Sequence, residues 1–514
     1  MNSGFGKRVV PLLATLVFVS GLVLLLPRKV DAIPAFSRQY GTSCSTCHVD
    51  FPKLNDFGKA FKDAGFKFPK DDESFVKIPP VMLGSPAQKE LWPKTVWPGT
   101  VPGLPPIGLR MNSFFQALGK SRNNLGFTSS PSSSPYIPST DFATGYFSIF
   151  TAGNFGSDIA FWVDDDISVA GANSNGSLGD GYLKFVNVGR FMKLPKDSLS
   201  LRTGQFELDL PFTAARSYNI SGYDIYGEAN IGSAQQFVNN NFTIDAPAQG
   251  VEFSGGHNYG GYHYSLAVVN QNTSGGSSGG TANVSPANGV GFTSDSSFKD
   301  LYGRLAYRFN LERNAKSRND VQAAGPMGPR DHTSIRFGTF YFYGRSVQRI
   351  LSSSATLAGT DREPFYRAGG DFDFHYRQFN LYGLYMYGHD HDVLPIISGG
   401  TFTGFSLGTP ANFDGGFIQA DYMVYPWLMT IMRWDAVNSP ADRINGIPSA
   451  TVAGGPYRDT RNRFTPGAQF LIHANIKGSF EYQFQPQYIV VLPGHSAPTI
   501  FRTNAAVAAL EWVY

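Results

Sequence analysis

From residue 107 to the last residue, 514, one pattern repeats: runs of about ten residues in which apolar and polar side chains alternate, divided by turn-rich stretches. Phe480-Glu481-Tyr482-Gln483-Phe484-Gln485 alternates aromatic and polar without a break. Gly303, Leu305, Tyr307 and Phe309 alternate with Tyr302, Arg304, Ala306 and Arg308, and Phe372, Phe374 and Tyr376 with Asp371, Asp373 and His375. A period of two places the two sets on opposite faces of a strand. In a soluble sandwich the aromatic face would turn inward; in a membrane barrel it faces lipid and the charges face the lumen.

Connector lengths separate these options. Strands are predicted at 107–117, 144–152, 157–169, 181–190, 199–209, 246–256, 260–271 and 299–309, then at 332–344, 365–376, 378–388, 413–425, 427–437, 462–475, 476–487 and 501–514. Long connectors (118–143, 210–245, 272–298, 345–364, 389–412, 438–461) alternate with short ones (153–156, 257–259, Arg377, Pro426 and a bend at Asn475). Outer-membrane barrels have long extracellular loops, short periplasmic turns and an even strand count, whereas a sandwich gives no reason for the alternation. One connector, 310–331, is long where a short turn belongs, which means either a missed strand pair or a periplasmic excursion. Composition agrees with a barrel: 57 glycines, 43 phenylalanines, 25 tyrosines and only 16% charged residues, against about 25% in ordinary domains. The fold class read from the chain is therefore mainly β, an outer-membrane barrel of about 16 antiparallel strands over 107–514. Leu510, Trp512 and Tyr514 share one face of the last strand, and the terminal residue is aromatic, as in chains read by barrel-insertion machinery. A net charge of +3 makes no case for nucleic acid.

The N-terminal part follows different rules. Its Cys44 and Cys47 are the chain's two cysteines, and His48 follows directly. Cys-x-x-Cys-His is the spacing of a c-type haem attachment site: two thiols add to the haem vinyl groups and the histidine becomes the proximal ligand. A structural zinc site would need a second cysteine pair. A thioredoxin-type pair would need a βαβ context, and a plain disulfide leaves His48 unexplained.

Haem attachment outside the cytoplasm requires export, and residues 1–32 read as a signal peptide: Lys7 and Arg8, an apolar core over 9–26, then Val30-Asp31-Ala32 as a cleavage site. The core is almost long enough to be a membrane anchor; the Ala32 site and the haem motif close behind it favour cleavage. Residues 33–70 then form a small α-helical haem module. Leu54, Phe57 and Phe61 fall on one face of a short helix, with Gly65 as its stop. So few residues rarely build an adequate core, and the haem would complete it. Residues 71–106 form a connector; nine prolines between 69 and 106 predict an extended chain there.

A single haem motif leading into such a barrel resembles the fused outer-membrane monohaem cytochrome–porins, a family that includes outer-membrane iron oxidases. The residues that carry the likeness are Ala32-Ile33-Pro34-Ala35-Phe36-Ser37-Arg38-Gln39-Tyr40-Gly41, the motif at 44–48, Pro52-Lys53-Leu54, and Gly58, Phe61, Gly65 and Phe66. The resemblance implies an electron-transfer protein of the outer membrane that oxidises extracellular Fe(II). One covalent haem c, held by Cys44 and Cys47 with His48 on its iron, would pass the electrons to a periplasmic soluble cytochrome or other acceptor. If it is an enzyme, it is an oxidoreductase of the Fe(II):cytochrome c type. Related readings stay open: a conduit with another donor or acceptor, or a nutrient porin with a haem plug or sensor. One haem does not span a bilayer core of ~30 Å, so the module must sit in the barrel lumen or the donor must enter it. Sixteen strands leave room inside.

Met82, in the connector, and Met111, on the first strand, are candidates for the distal iron ligand; methionine there raises the potential, which suits a ferrous donor. His389-Asp390-His391-Asp392 opens a predicted outer loop and offers metal donors, although a solvated loop is the plainer reading. Asp164 and Asp166 share one face of a strand, where they line the lumen or mark a cation path.

Overall fold

The structure is a computed structural model, and it describes residues 35–50, 52–93, 100–103, 107–119, 140–167, 177–213, 217–228, 231–232, 239–240, 242, 244–270, 298–311, 333–351, 357–391, 395–398, 401–405, 411–438, 460–484, 487–491, 498–502 and 504–514. The predicted signal peptide lies outside these residues.

Sixteen antiparallel strands close into a barrel. They are β1 (Ile107–Leu118), β2 (Thr140–Phe155), β3 (Ile159–Ile167), β4 (Ser177–Phe185), β5 (Ser200–Phe206), β6 (Ala248–Gly256), β7 (Gly261–Val269) and β8 (Asp300–Asn310). The second half comprises β9 (Ser334–Leu351), β10 (Leu357–Tyr376), β11 (Phe379–Asp390), β12 (Ala411–Tyr425), β13 (Leu428–Asn438), β14 (Thr460–His473), β15 (Ile476–Gln483) and β16 (Ala505–Val513). Closure joins β16 to β1, with Trp512 opposite Met111 and Val513 opposite Arg110. A closed barrel has no edge strand, so every strand finds two partners.

Each predicted strand matches one barrel strand, and β8 pairs directly with β9; residues 312–331 of the connector between them lie outside the described ones. One connector is corrected. The span 345–364, expected as a loop, is largely strand, because β9 and β10 pair from Ser334–His375 out to Leu351–Leu357.

The alternation has the polarity a membrane barrel needs. Leu305, Tyr307 and Phe309 are exposed on the outer wall, while Arg304 and Arg308 are buried inside. Phe480 and Phe484 face outward, Glu481 and Gln483 inward. The inner charges are compensated in pairs: Arg304 with Asp371 at 2.7 Å and Arg202 with Glu252 at 2.6 Å. An unpartnered charge in such a wall would cost several kcal/mol, roughly.

Two segments occupy the lumen. One is the connector between β5 and β6. It starts at the long-loop end and folds back inside, carrying the short helix α3 (Asp224–Glu228), which packs on β12 and β13. Leu208, Leu210, Tyr223, Ile225, Tyr226, Phe242 and Ile244 are buried against Tyr302, Phe342, Phe365, Tyr382 and Phe417 of the inner wall. Polar bonds anchor it: the Ile220 and Ser221 amides donate to Glu481, and Arg433 donates to the Ser221 carbonyl. The sequence reading placed this connector outside as an extracellular loop; enough apolar side chains to form a core draw it inward.

The other segment is the N-terminal module. It holds α1 (Ala35–Tyr40) and α2 (Asp56–Asp63). It sits at the short-turn end. Lys67 donates to the Ser157 carbonyl in the β2–β3 turn, and the Asn258 amide in the β6–β7 turn donates to Asp63. Its core is Tyr40, Phe57, Phe61, Phe66 and Phe68, continued by Ala152 and Ala160 of the barrel wall. The core expected from haem alone is thus supplied in part by the wall. The connector is less extended than predicted. It contains a short helix, Pro86–Leu91, which proline tolerates at its first position.

Candidate functional site

The site is built around the loop at 44–48. Asn55 caps α2, accepting from the Gly58 amide at 2.8 Å. The same side chain donates to the carbonyls of Ser45 and Thr46, at 3.1 and 3.0 Å, and its backbone amide donates to the Cys47 carbonyl at 2.9 Å. One residue therefore fixes both the helix start and the cysteine loop. Gly58 permits the close approach, since a Cβ there would lie 2.0 Å from the Cys47 carbonyl oxygen. Gly65, at φ +80°, ends the helix as the sequence predicts.

Cys44 and Cys47 are both free thiols, half-buried on this loop. Cys47 packs against the aromatic cluster, and its burial pushes the thiol up to about 12. His48 Nδ1 lies 3.2 Å from the Pro52 carbonyl oxygen. A carbonyl only accepts, so Nδ1 is the donor and Nε2 carries the lone pair. Burial also lowers the His48 pKa to about 4, which keeps the ring neutral, the form that binds a metal. Around the loop, Tyr40 stacks on Phe68 at 4.3 Å, Phe36 meets Phe61 edge-on at 4.9 Å, and Phe66 lies 5.6 Å from Trp162 of the wall.

This donor set fits a covalent haem: two unpaired thiols at the attachment spacing, an adjacent imidazole oriented through Nδ1, and an aromatic surround. Neither methionine is arranged as the distal ligand. Met111 is corrected. It pairs with Trp512 and Phe147 on the outer face of the barrel, because strand alternation that turns Asn112 inward turns Met111 out. Met82 lies on a two-residue strand of the connector, 47% exposed rather than packed into the module.

The module is pinned to the wall by charge. Arg308 donates through both terminal nitrogens to Asp56, at 2.5 and 2.9 Å, and Asp56 is fully buried. Sequence reasoning missed Asp56 and Arg308. An aspartate at a helix start and an arginine on an inner strand face are each ordinary, and only the fold brings them together. Beside α2, between the module and the turn end of the wall, lies a cavity of about 780 Å³ that Asp63, Lys67, Lys184, His257 and His263 help to line.

The remaining candidates are placed as follows. Asp164 and Asp166 line the lumen wall as expected, with Asp164 accepting from Trp162 Nε1 at 2.6 Å and from the Asp180 amide at 3.0 Å. His389 and His391 sit 6.2 Å apart, ring centre to ring centre, but Asp390 is held by Arg367 at 2.7 Å. Among the described residues no group of three or more metal donors converges. Asp392 lies outside them.

No protein-family model matches this chain, and no curated protein matches it. Among solved structures it is similar to the outer-membrane channel DcaP of Acinetobacter baumannii, with 8% identity, 79% of this chain and 96% of that one covered, and a TM-score of 0.45. An anion-selective porin from Comamonas acidovorans gives 9%, 79% and 98%, and 0.44. OprB of Pseudomonas putida gives 8%, 79% and 94%, and 0.43. The strand pairing above, not these matches, defines the barrel.

Proposed function

We propose that this chain is an outer-membrane electron-transfer protein that takes electrons from extracellular Fe(II) and delivers them, through one haem c, to a soluble periplasmic cytochrome or similar acceptor. The observation that carries the proposal is the His48–Pro52 bond beside two unpaired thiols, in a module seated in the mouth of a closed barrel. The resemblance carried by residues 32–66 supplies the donor, and the outward apolar wall supports insertion in the outer-membrane lipid.

Haem would contribute a one-electron couple to this site. The chain does the rest. Cys44 and Cys47 would hold the group, and His48 would present Nε2 to the iron while Pro52 fixes the ring. The aromatic cluster excludes water around it. By the rule that short turns face the periplasm, the module lies on the acceptor side. The donor must then enter the lumen from the long-loop end, since ~30 Å of apolar core separates the two faces. On the inner wall, Asp164 and Asp166 offer carboxylates to a hydrated cation, while the arginines there are paired with other carboxylates.

The test is stopped-flow mixing of the purified, detergent-solubilised protein with ferrous iron, following the haem Soret band. Reduction within the mixing experiment is the expected result. A coloured protein that stays oxidised removes Fe(II) as donor; a colourless one removes haem as well. Solute flux through liposomes that persists in Cys44→Ala would favour a nutrient porin instead.

A further inference from the structure

Lys53 joins the histidine loop, the barrel wall and the inward connector. It directly follows Pro52, and its short strand pairs with the strand of His48, setting His48 opposite Leu54. Its ammonium donates to Asn380 Oδ1 at the start of β11 and lies 3.4 Å from Asp421 Oδ2 on β12. It also sits over two rings, Tyr382 of the wall at 4.7 Å and Tyr218 of the inward connector at 5.2 Å.

From Asp421 the contacts run on without a break. Gln419 donates to Asp421 at 2.8 Å and exchanges two hydrogen bonds with Asn219, at 3.0 and 2.9 Å. Next to Asn219, the amides of Ile220 and Ser221 bind Glu481. The side chain of Asp421 is 3% exposed and that of Lys53 26%, so much of this charge pair is shielded from water. Charges in such surroundings act further and more strongly than on a surface.

We infer that Lys53 is a positioning residue: it fixes the proximal-histidine loop against the wall and the inward connector. The role of that histidine rests on the haem reading. The ammonium makes the contacts to Asn380, Asp421 and the two rings. Lys53→Gln and Asp421→Asn are therefore expected to loosen the loop, while Lys53→Arg, which keeps the charge, holds it.

The experiment uses the full-length protein and the three variants, each first shown to be folded by heat-modifiable gel migration. The reduced, haem-free chain is labelled with a maleimide at Cys44 and Cys47. Labelling several-fold faster in Lys53→Gln and Asp421→Asn, and unchanged in Lys53→Arg, supports the inference. Equal rates in all four proteins, or Lys53→Arg as fast as Lys53→Gln, overturn it. A parent chain that never acquires colour defeats the haem reading, while the labelling still tests the tether.

Discussion

Asp56 shows what single residues contribute here. It is fully buried, and both its oxygens are bound by Arg308, with Lys59 at 3.2 Å. Removing one partner of a buried pair typically costs about 3–5 kcal/mol, because the other charge is left behind. Arg308→Ala is expected to free the module without unfolding the barrel; limited proteolysis within 33–106, set against unchanged heat-modifiable migration, checks this. Gly58 is a second case. The 2.0 Å gap to the Cys47 carbonyl means that Gly58→Ala must push the cysteine loop off α2, and the expected result is reduced haem content at equal barrel yield, measured by pyridine haemochrome. Asp245, beside the inward connector's apolar residues, adds a pH dependence. Burial raises its carboxyl from 3.8 to about 6. The folded connector therefore holds the proton more tightly than the unfolded one. Its stability is highest below pH 3.8, falls as pH rises to about 6, and is flat above that. After correction for the intrinsic hydroxide-catalysed rise in rate, protection of the Ile244 amide against hydrogen exchange should fall across that window, and Asp245→Asn should abolish that fall. None of these partners was legible in the sequence, since a buried ion pair or a crowded glycine exists only once distant segments have met.

At the scale of elements, α2 is the hinge of the site. Its apolar residues Phe57 and Phe61 face the module core, Ala60 meets Tyr259 of the β6–β7 turn, and Asn55 ties its start to the cysteine loop. The helix was readable because a 3.6-residue period and a stop glycine are local signals. Its anchoring was not. Asn55→Ala removes an N-cap, for which about 1 kcal/mol is typical, and also strips the Ser45 and Thr46 carbonyls of their donor. The expected outcome is a less stable module with slower haem attachment, seen as a lower thermal midpoint of the near-ultraviolet signal. The inward connector carried a signal that length alone hid. Leu208, Leu210, Phe212, Tyr223, Ile225 and Tyr226 are too many large apolar residues for a water-facing loop. Read as composition rather than as a gap between strands, 207–245 would have been recognised as buried.

For the whole molecule, the two lumen segments bear on transport. The module takes the short-turn mouth, the inward connector packs on the wall from β8 to β13, and they meet at Lys53. Liposomes containing the protein are expected to show little sugar uptake in a swelling assay, and deletion of 35–70 should raise it while leaving a folded barrel. The sequence by itself determined the sixteen strands, the direction in which each face points, and the loop that offers two thiols and a histidine. Those follow from side-chain period and from residues a few positions apart, which act before the chain has folded. The tertiary structure alone decided where on the inner wall the connector between β5 and β6 packs, and that Arg308 and Asp421 hold the module. Each depends on register and on contacts between residues hundreds of positions apart, where closing the barrel, rather than any local preference, fixes which groups come together.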